Sequence, residues 1–301
     1  MTPAISVAGL SRRYRGHLAL DHLSFDIEPG SITGLLGRNG AGKTTLLRIL
    51  AGHEFPTSGS VTVLGASPVS SDALLHRMVF VREDQVYPDF RVRHALRAAS
   101  WFYPNWDGEL ACSLAADFGL PSGRRVKKLS RGMRSALGIV IGLAARAEVT
   151  LFDEPYAGLD PVARQLFYDH LLAGYAAHPR TVLLSTHLID EAAGLLEQVV
   201  VIDRGRVVLA GTADELRGAA TSVSGPAVAV AEFTAGRAVW DRRRAGSQES
   251  AVVAGALDDA ARGRARALRL HLEPLTLQQV VVHAAGRSET RAHDARERAS
   301  A

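Results

Sequence analysis

Short apolar runs separated by glycine-rich and charged turns fill the first two thirds of the chain, and their spacing switches between period 2 and period 3.6. Ile5–Leu10 and Leu23–Ile27 cluster or alternate apolar residues and predict strands. Ser31–Leu36 predicts a short apolar strand that runs straight into Gly37–Gly42. Lys43–Ala51 then places Leu46, Leu47, Ile49 and Leu50 at helical spacing. Val61–Leu64 and Met78–Val81 predict further strands. Val92–Leu120 turns helical and aromatic, with Pro88, Pro104 and Pro121 as punctuation, and a second helix is expected over Ser130–Ala145. Val149–Phe152 has the form of a buried strand that delivers Asp153-Glu154-Pro155 at its carboxyl end. Val162–Tyr175 predicts a helix, Thr181–Ser185 a strand, Ile189–Leu196 a helix, and Val199–Ile202 with Val207–Ala210 a closing hairpin. Strands alternating with helices imply an α/β fold with a mostly parallel sheet covered on both faces. In such sheets ligands bind beyond the carboxyl ends of the strands, where Gly37–Thr44 and Asp153-Glu154 both fall.

After Arg217 the composition shifts to Ala, Gly and Arg. Gly218–Pro226 reads as a linker, Val228–Phe233 and Ala267–Leu272 as strands, and Leu277–His283 as a short helix. Gly286–Ala301 is charged and is expected to be disordered. The expected domains are therefore 1–217, containing a helical subdomain at about 86–145, and a partly disordered C-terminal extension, 218–301.

Composition narrows the class only modestly. The 301 residues suffice for a large buried core, and 47% hydrophobic with 22% charged residues is the ordinary balance of a soluble globular protein. A net charge of +4 gives no argument for nucleic-acid binding. The lone Cys112 excludes an internal disulfide and a cysteine zinc site. Met1–Leu10 lacks a basic region followed by an apolar core, so no secretory signal is expected. The most apolar stretch, Ala136–Ala145, is far shorter than the roughly 20 residues needed to span a bilayer.

Lysine occurs only at 43, 127 and 128 in a chain whose other basic residues are all arginine. An ammonium is a compact point charge, so Lys43 inside a glycine-rich loop suggests a site whose geometry requires it. Gly37-Arg38-Asn39-Gly40-Ala41-Gly42-Lys43-Thr44 fits the P-loop pattern G-x-x-x-x-G-K-[ST], followed by Thr45 in the first helical turn. Its glycines let the backbone wrap phosphate oxygens, and the helix N-terminus favours an anion. Lys43 is placed to reach the β- and γ-phosphates and the Thr44 hydroxyl to ligate Mg²⁺. Asp153, at the end of a buried strand, is the second candidate for holding Mg²⁺, and Glu154 the candidate for polarising an attacking water.

With these motifs in order, the chain resembles the ATP-binding subunits of ABC transporters over about Ile5–Arg217. The resemblance implies a P-loop NTPase core with a mostly parallel sheet, an N-terminal antiparallel β subdomain, an inserted α-helical subdomain and a small C-terminal extension. It further implies hydrolysis of ATP with Mg²⁺. Leu129-Ser130-Arg131-Gly132-Met133 resembles the family's signature motif, with Arg131 where Gly is usual and Met133 where Gln is usual. Ser130 and Gly132 would hold the γ-phosphate bound by an opposite subunit. Gly158-Leu159-Asp160 matches the D-loop that crosses that dimer interface. His187 matches the switch histidine that contacts the γ-phosphate, and Tyr14 the aromatic that stacks on adenine. In the Q-loop, Glu83 aligns with the usual Gln, with Gln85 two residues on. Either could supply a metal-ligating oxygen.

The resemblance also implies partners: a transmembrane permease subunit and a second ABC ATPase subunit, identical or related, with no nucleic acid expected. The chain would then sit at the cytoplasmic face of the membrane through the permease. The family places the permease groove in the aromatic helical segment, so Trp101 and Phe102 are expected mostly in the core, with some of Tyr87, Phe90 and Arg91 facing the partner. Trp101–Asp107 together with Val126–Met133 resembles the YtrB-like branch, which implies export or a role in cell-envelope stress rather than nutrient uptake. The alternative is an ABC ATPase without a transport role, acting on ribosomes or DNA. Translation-factor members usually carry two cassettes and chromosomal members a long coiled coil. This chain has one cassette and no sustained heptads.

Overall fold

The computed structural model describes residues 2–284, so the expected disorder of Gly286–Ala301 lies outside the described residues. The chain divides into two units, residues 1–187 with 195–207 and residues 188–194 with 208–301.

Two sheets are formed largely by residues of the first unit. Strands β1 (Ile5–Tyr14), β2 (His17–Ile27) and β4 (Ser58–Val63) form an antiparallel sheet in the order β2-β1-β4. Strands β3 (Ile32–Leu36), β5 (Met78–Arg82), β6 (Val149–Asp153), β7 (Thr181–Thr186), β8 (Gln198–Asp203) and β9 (Arg206–Thr212) form the second, in the order β5-β6-β7-β3-β8-β9. The first five of these pair in parallel. β8 and β9 are joined by Arg204-Gly205, both with positive φ, the turn geometry that closes a hairpin. Every residue of β3, β6 and β7 is buried, as a sheet covered on both faces demands.

Helix α1 (Lys43–Leu50) packs one face. Its Leu46, Leu47, Ile49 and Leu50 join Ile5, Leu10, Leu23, Val63, Leu151 and Leu183 in one core. Helices α5 (Arg131–Ala144) and α6 (Pro161–Ala177) supply further apolar cover, with Phe152 edge-on to Phe167 at 5.3 Å. Gly138 and Gly142 of α5 let the helix approach the sheet closely: a methyl group on Gly142 would lie 2.7 Å from Val81. The short helix α2 (Asp72–Leu75) precedes β5, and helices α3 (Val92–Phe102) and α4 (Gly108–Asp117) lie between β5 and α5. Helix α3 buries Val92, Ala95 and Ala99, a stripe of small residues at helical spacing. Trp101 therefore points away from the core and is 74% exposed, and Phe102 is 41% exposed, contrary to the core placement expected for both. Arg97 lies over the Trp101 ring, and Phe102 packs on His76 and Tyr103. Phe90 and Arg91 are exposed, whereas Tyr87 is half-buried.

In the second unit, helix α7 spans only Ile189–Ala192, shorter than the Ile189–Leu196 expected, because residues 193–195 form a turn. Helix α8 (Ala213–Arg217) opens with a capping box, in which Thr212 and Glu215 satisfy each other's backbone N–H groups. Gly218–Pro226 is not a linker. Strand β10 (Ala220–Pro226) is central in an antiparallel sheet of order β11-β12-β10-β13, with β11 (Val239–Ala245), β12 (Gln248–Ala254) and β13 (His271–Pro274). Its small, polar composition hid the strand, whose backbone is paired on both sides. Val228–Phe233 is helical rather than extended: α9 (Ala227–Thr234) buries Ala227, Val230, Phe233 and Thr234, a helical interval. Ala267 ends helix α10 (Asp259–Ala267), so only the end of the expected Ala267–Leu272 strand belongs to β13. Residues 277–284 are helical. Val223, Val230, Phe233, Ala251, Val253, Ala261 and Ala265 give this unit its own core. Among the described residues, no helix is long and apolar enough to cross a membrane.

Candidate functional site

Register gathers the site. Asp153 pairs with Ser185, Leu36 pairs with Thr186, and Arg82 pairs with Asp153. Glu83, Glu154, His187 and Gly37 are each the next residue beyond their strand, so four distant segments leave the sheet at the same carboxyl edge. A cavity of about 470 Å³ opens there. Its walls include Tyr14, Asn39, Gly40, Gly42, Lys43, Thr44, Thr45, Glu83, Asp153 and Glu154.

The loop before α1 has the form that a bound phosphate needs. Gly42 has φ 109°, and a methyl group there would lie 2.7 Å from the Ala19 carbonyl oxygen. Only glycine fits both the conformation and the approach. Ala41 is buried, its N–H donates to the Arg38 carbonyl, and its own carbonyl accepts from Gly205 N–H. The buried Lys43 ammonium donates to the Gly37 carbonyl at 2.8 Å and the Arg38 carbonyl at 3.2 Å, and lies 3.7 Å from Glu154 Oε1. Burial pushes the Lys43 pKa down, and the charges of Glu154 and Asp153 oppose that shift. The first N–H groups of α1 have no partner within the helix, and they add positive potential to the same wall.

Glu154 holds a left-handed backbone with φ 46°, a strained conformation for a side chain of this size. Its N–H donates to the Ser185 carbonyl, and its Oε2 lies 3.0 Å from His187 Nδ1. One carboxylate thus bridges the loop lysine and the histidine. His187 is half exposed and lies beside the ring of Tyr156; it reaches the cavity through Glu154 rather than lining it.

Asp153 is buried and its Oδ1 has no hydrogen-bond partner. Burial pushes its carboxyl above the ordinary value, while the Thr44 and Ser185 hydroxyls pull it down. An unpartnered buried carboxylate oxygen beside a hydroxyl suits a hard divalent cation, which takes oxygen ligands. Asp153 and Thr44 therefore fit Mg²⁺. Of the two Q-loop alternatives, Glu83 lines the cavity. Gln85 turns away, its Oε1 accepting from Arg82 N–H at 3.3 Å.

Tyr14 lines the cavity with its hydroxyl bonded to Glu54 and the Arg12 guanidinium 4.5 Å from its ring centre. His17 and Ala19 also line it, although the sequence reading passed them over. The available signal was the tight Arg15-Gly16 turn, which folds them back beside Tyr14.

Ser130, Gly132 and Asp160 are not brought to this cavity. They line a separate surface cleft of about 450 Å³ with Met133, Gly158 and Leu159. Ser130 caps α5 by accepting from Met133 N–H, which leaves its hydroxyl proton free to donate. Asp160 caps α6 in the same way through Ala163 N–H. Gly132 lies so close to Gly158 that a methyl group would sit 2.4 Å from its carbonyl oxygen.

A family model described as ABC transporter matches residues 20–157. The chain is 35% identical over 224 residues to a Nod factor export ATP-binding protein I of Cupriavidus metallidurans, covering 72% of this chain and 73% of that one. It is 35% identical over 223 residues to the doxorubicin resistance ATP-binding protein DrrA of Mycobacterium tuberculosis, covering 71% and 67%. A solved ATP-binding subunit of an ABC transporter superposes with a TM-score of 0.65 at 26% identity, over 72% of this chain and 92% of its own.

Proposed function

This chain belongs to the ABC transporter ATP-binding family, and on that premise we propose that it is the ATP-hydrolysing subunit that powers export through a separate membrane subunit. The observation that carries the reading is the shared strand register, which brings Lys43, Thr44, Glu83, Asp153, Glu154 and His187 to one sheet edge. Gly37–Thr45 and Lys43 bind the phosphates of ATP, and Tyr14 stacks on the base. Thr44 and Asp153, with Glu83 rather than Gln85, hold Mg²⁺, which neutralises phosphate charge. Glu154 orients the attacking water and His187 positions Glu154 and the γ-phosphate. Catalysis here is mostly positioning and charge stabilisation.

The cleft with Ser130, Gly132 and Asp160 completes the site of a second subunit in a head-to-tail dimer, identical or related. Ser130 donates its hydroxyl and the N-terminal turn of α5 its N–H groups to the partner's γ-phosphate. The ATPase domain is assigned to residues 1–217, with a C-terminal extension from 218 onward. Export is supported by the name of the Nod factor export relative, and the chain acts at the cytoplasmic face through the membrane subunit. The test is ATP turnover by purified protein. Glu154→Gln should lower kcat by at least about 10²-fold while ATP binding persists. Normal hydrolysis by this variant would remove Glu154 from its role.

A further inference from the structure

Two of the three positions at which the chain departs from its family's usual motif residues, Glu83 and Arg131 but not Met133, meet each other. Glu83 and Arg131, 48 residues apart, form an ion pair between Oε1 and Nη2. The Glu83 N–H donates to the Asp153 carbonyl at 3.1 Å, which fixes its backbone one residue from the cavity's buried carboxylate. Its side chain forms part of the wall between two cavities. One is the Lys43 cavity. The other, of about 470 Å³, is lined by Asp84, Gln85, Tyr87, Lys127, Arg131 and Arg134 among others. Arg131 lines only the second. It follows Ser130 directly, and its stem packs on Gly158 at the cleft that holds Gly132 and Asp160.

Electrostatics gives this arrangement a consequence. A free carboxylate at the wall of a polyphosphate cavity repels the ligand, so Glu83 needs a counter-charge. Arg131 supplies one from outside the cavity. A cation entering with the nucleotide supplies another from inside. We propose that Arg131 is a positioning residue that competes with the nucleotide-bound cation for the Glu83 carboxylate. Binding at the Lys43 cavity then releases the first turn of α5, next to Ser130. Both side chains are largely exposed, at 64% and 39%, so the pair is weak enough for a ligand to break. This inference rests on the nucleotide-site reading above.

The test is equilibrium binding of a fluorescent ATP analogue, with Mg²⁺ and with EDTA, to the wild type, Arg131→Ala, Glu83→Gln and the double variant. Arg131→Ala should tighten binding with Mg²⁺ by up to about fivefold, because the competitor is gone. With EDTA it should weaken binding by a similar factor, because Glu83 is left uncompensated. In the Glu83→Gln background, Arg131→Ala should do neither. Shifts of equal size and sign in Mg²⁺ and EDTA, or additive effects in the double variant, would overturn the proposal and leave the nucleotide site standing. A wild type that binds no nucleotide overturns both.

Discussion

Glu154 Oε2 and His187 Nδ1 lie 3.0 Å apart across two neighbouring parallel strands, although 33 residues separate them in the chain. The contact follows from the pairing of Asp153 with Ser185, which leaves each residue just beyond its strand. Glu154 also faces Lys43, so the histidine helps decide which way that carboxylate points. His187→Ala should therefore reduce kcat by about 10²–10³-fold with little change in ATP affinity. Combined with Glu154→Gln it should cost little more, since the two act as a unit. Steady-state ATPase kinetics with a parallel binding titration checks both statements.

Asp153 carries a pH prediction. Burial raises its carboxyl pKa in the fold. A raised carboxyl contributes stability that is present below the ordinary carboxylate range and lost as pH rises through the raised value. At neutral pH the ionised group is thus a net cost to the nucleotide-free protein. Asp153→Asn should raise Tm at pH 7 by about 2–4 °C, the equivalent of ~1 kcal/mol. The gain should narrow as pH is lowered toward the ordinary carboxylate range. The same variant should lose the extra thermal stabilisation that Mg²⁺ adds to ATP. Thermal melts across pH, with ATP in Mg²⁺ and in EDTA, provide the measurement.

Tyr14 separates ring from hydroxyl. Its hydroxyl is committed to Glu54 and one face is covered by Arg12, so stacking is what remains for a base. Tyr14→Ala should weaken ATP binding about tenfold, whereas Tyr14→Phe should leave it nearly unchanged. Because every base has a π-face, GTP should suffer a similar loss. A competition titration of both nucleotides would reveal any departure from this pattern.

Phe233 tests whether the second unit depends on its own core. It is 1% exposed, among Val223, Val230, Val253 and Ala261. Phe233→Ala should destabilise this unit by about 3–5 kcal/mol. Amide exchange should then accelerate across α9, β10 and β12. Unchanged protection there would contradict the packing described.

Local pattern carried the elements of the first unit. Apolar runs such as Val149–Phe152 and the leucines after Lys43 encode their structure in periodicity, and Gly37–Thr44 encodes a phosphate-shaped backbone in consecutive residues. These features depend on neighbours in the chain, so one sequence suffices to read them. The second unit resisted the same reading. The Ala- and Ser-rich segments of β10 and α9 have weak local preference, and pairing on both sides or burial of one face decided their form.

The sequence by itself determined the candidate chemistry: a loop lysine and hydroxyl, strand-end carboxylates and a histidine. It left Glu83 and Gln85 undecided and placed Trp101 in the core. The tertiary structure turned Glu83 to the cavity, tied Gln85 to Arg82, and joined Glu83 to Arg131. The physical reason is range. Strand and helix follow from spacing within a few residues, whereas the direction of an exposed side chain follows from charges that only strand register and helix packing bring together.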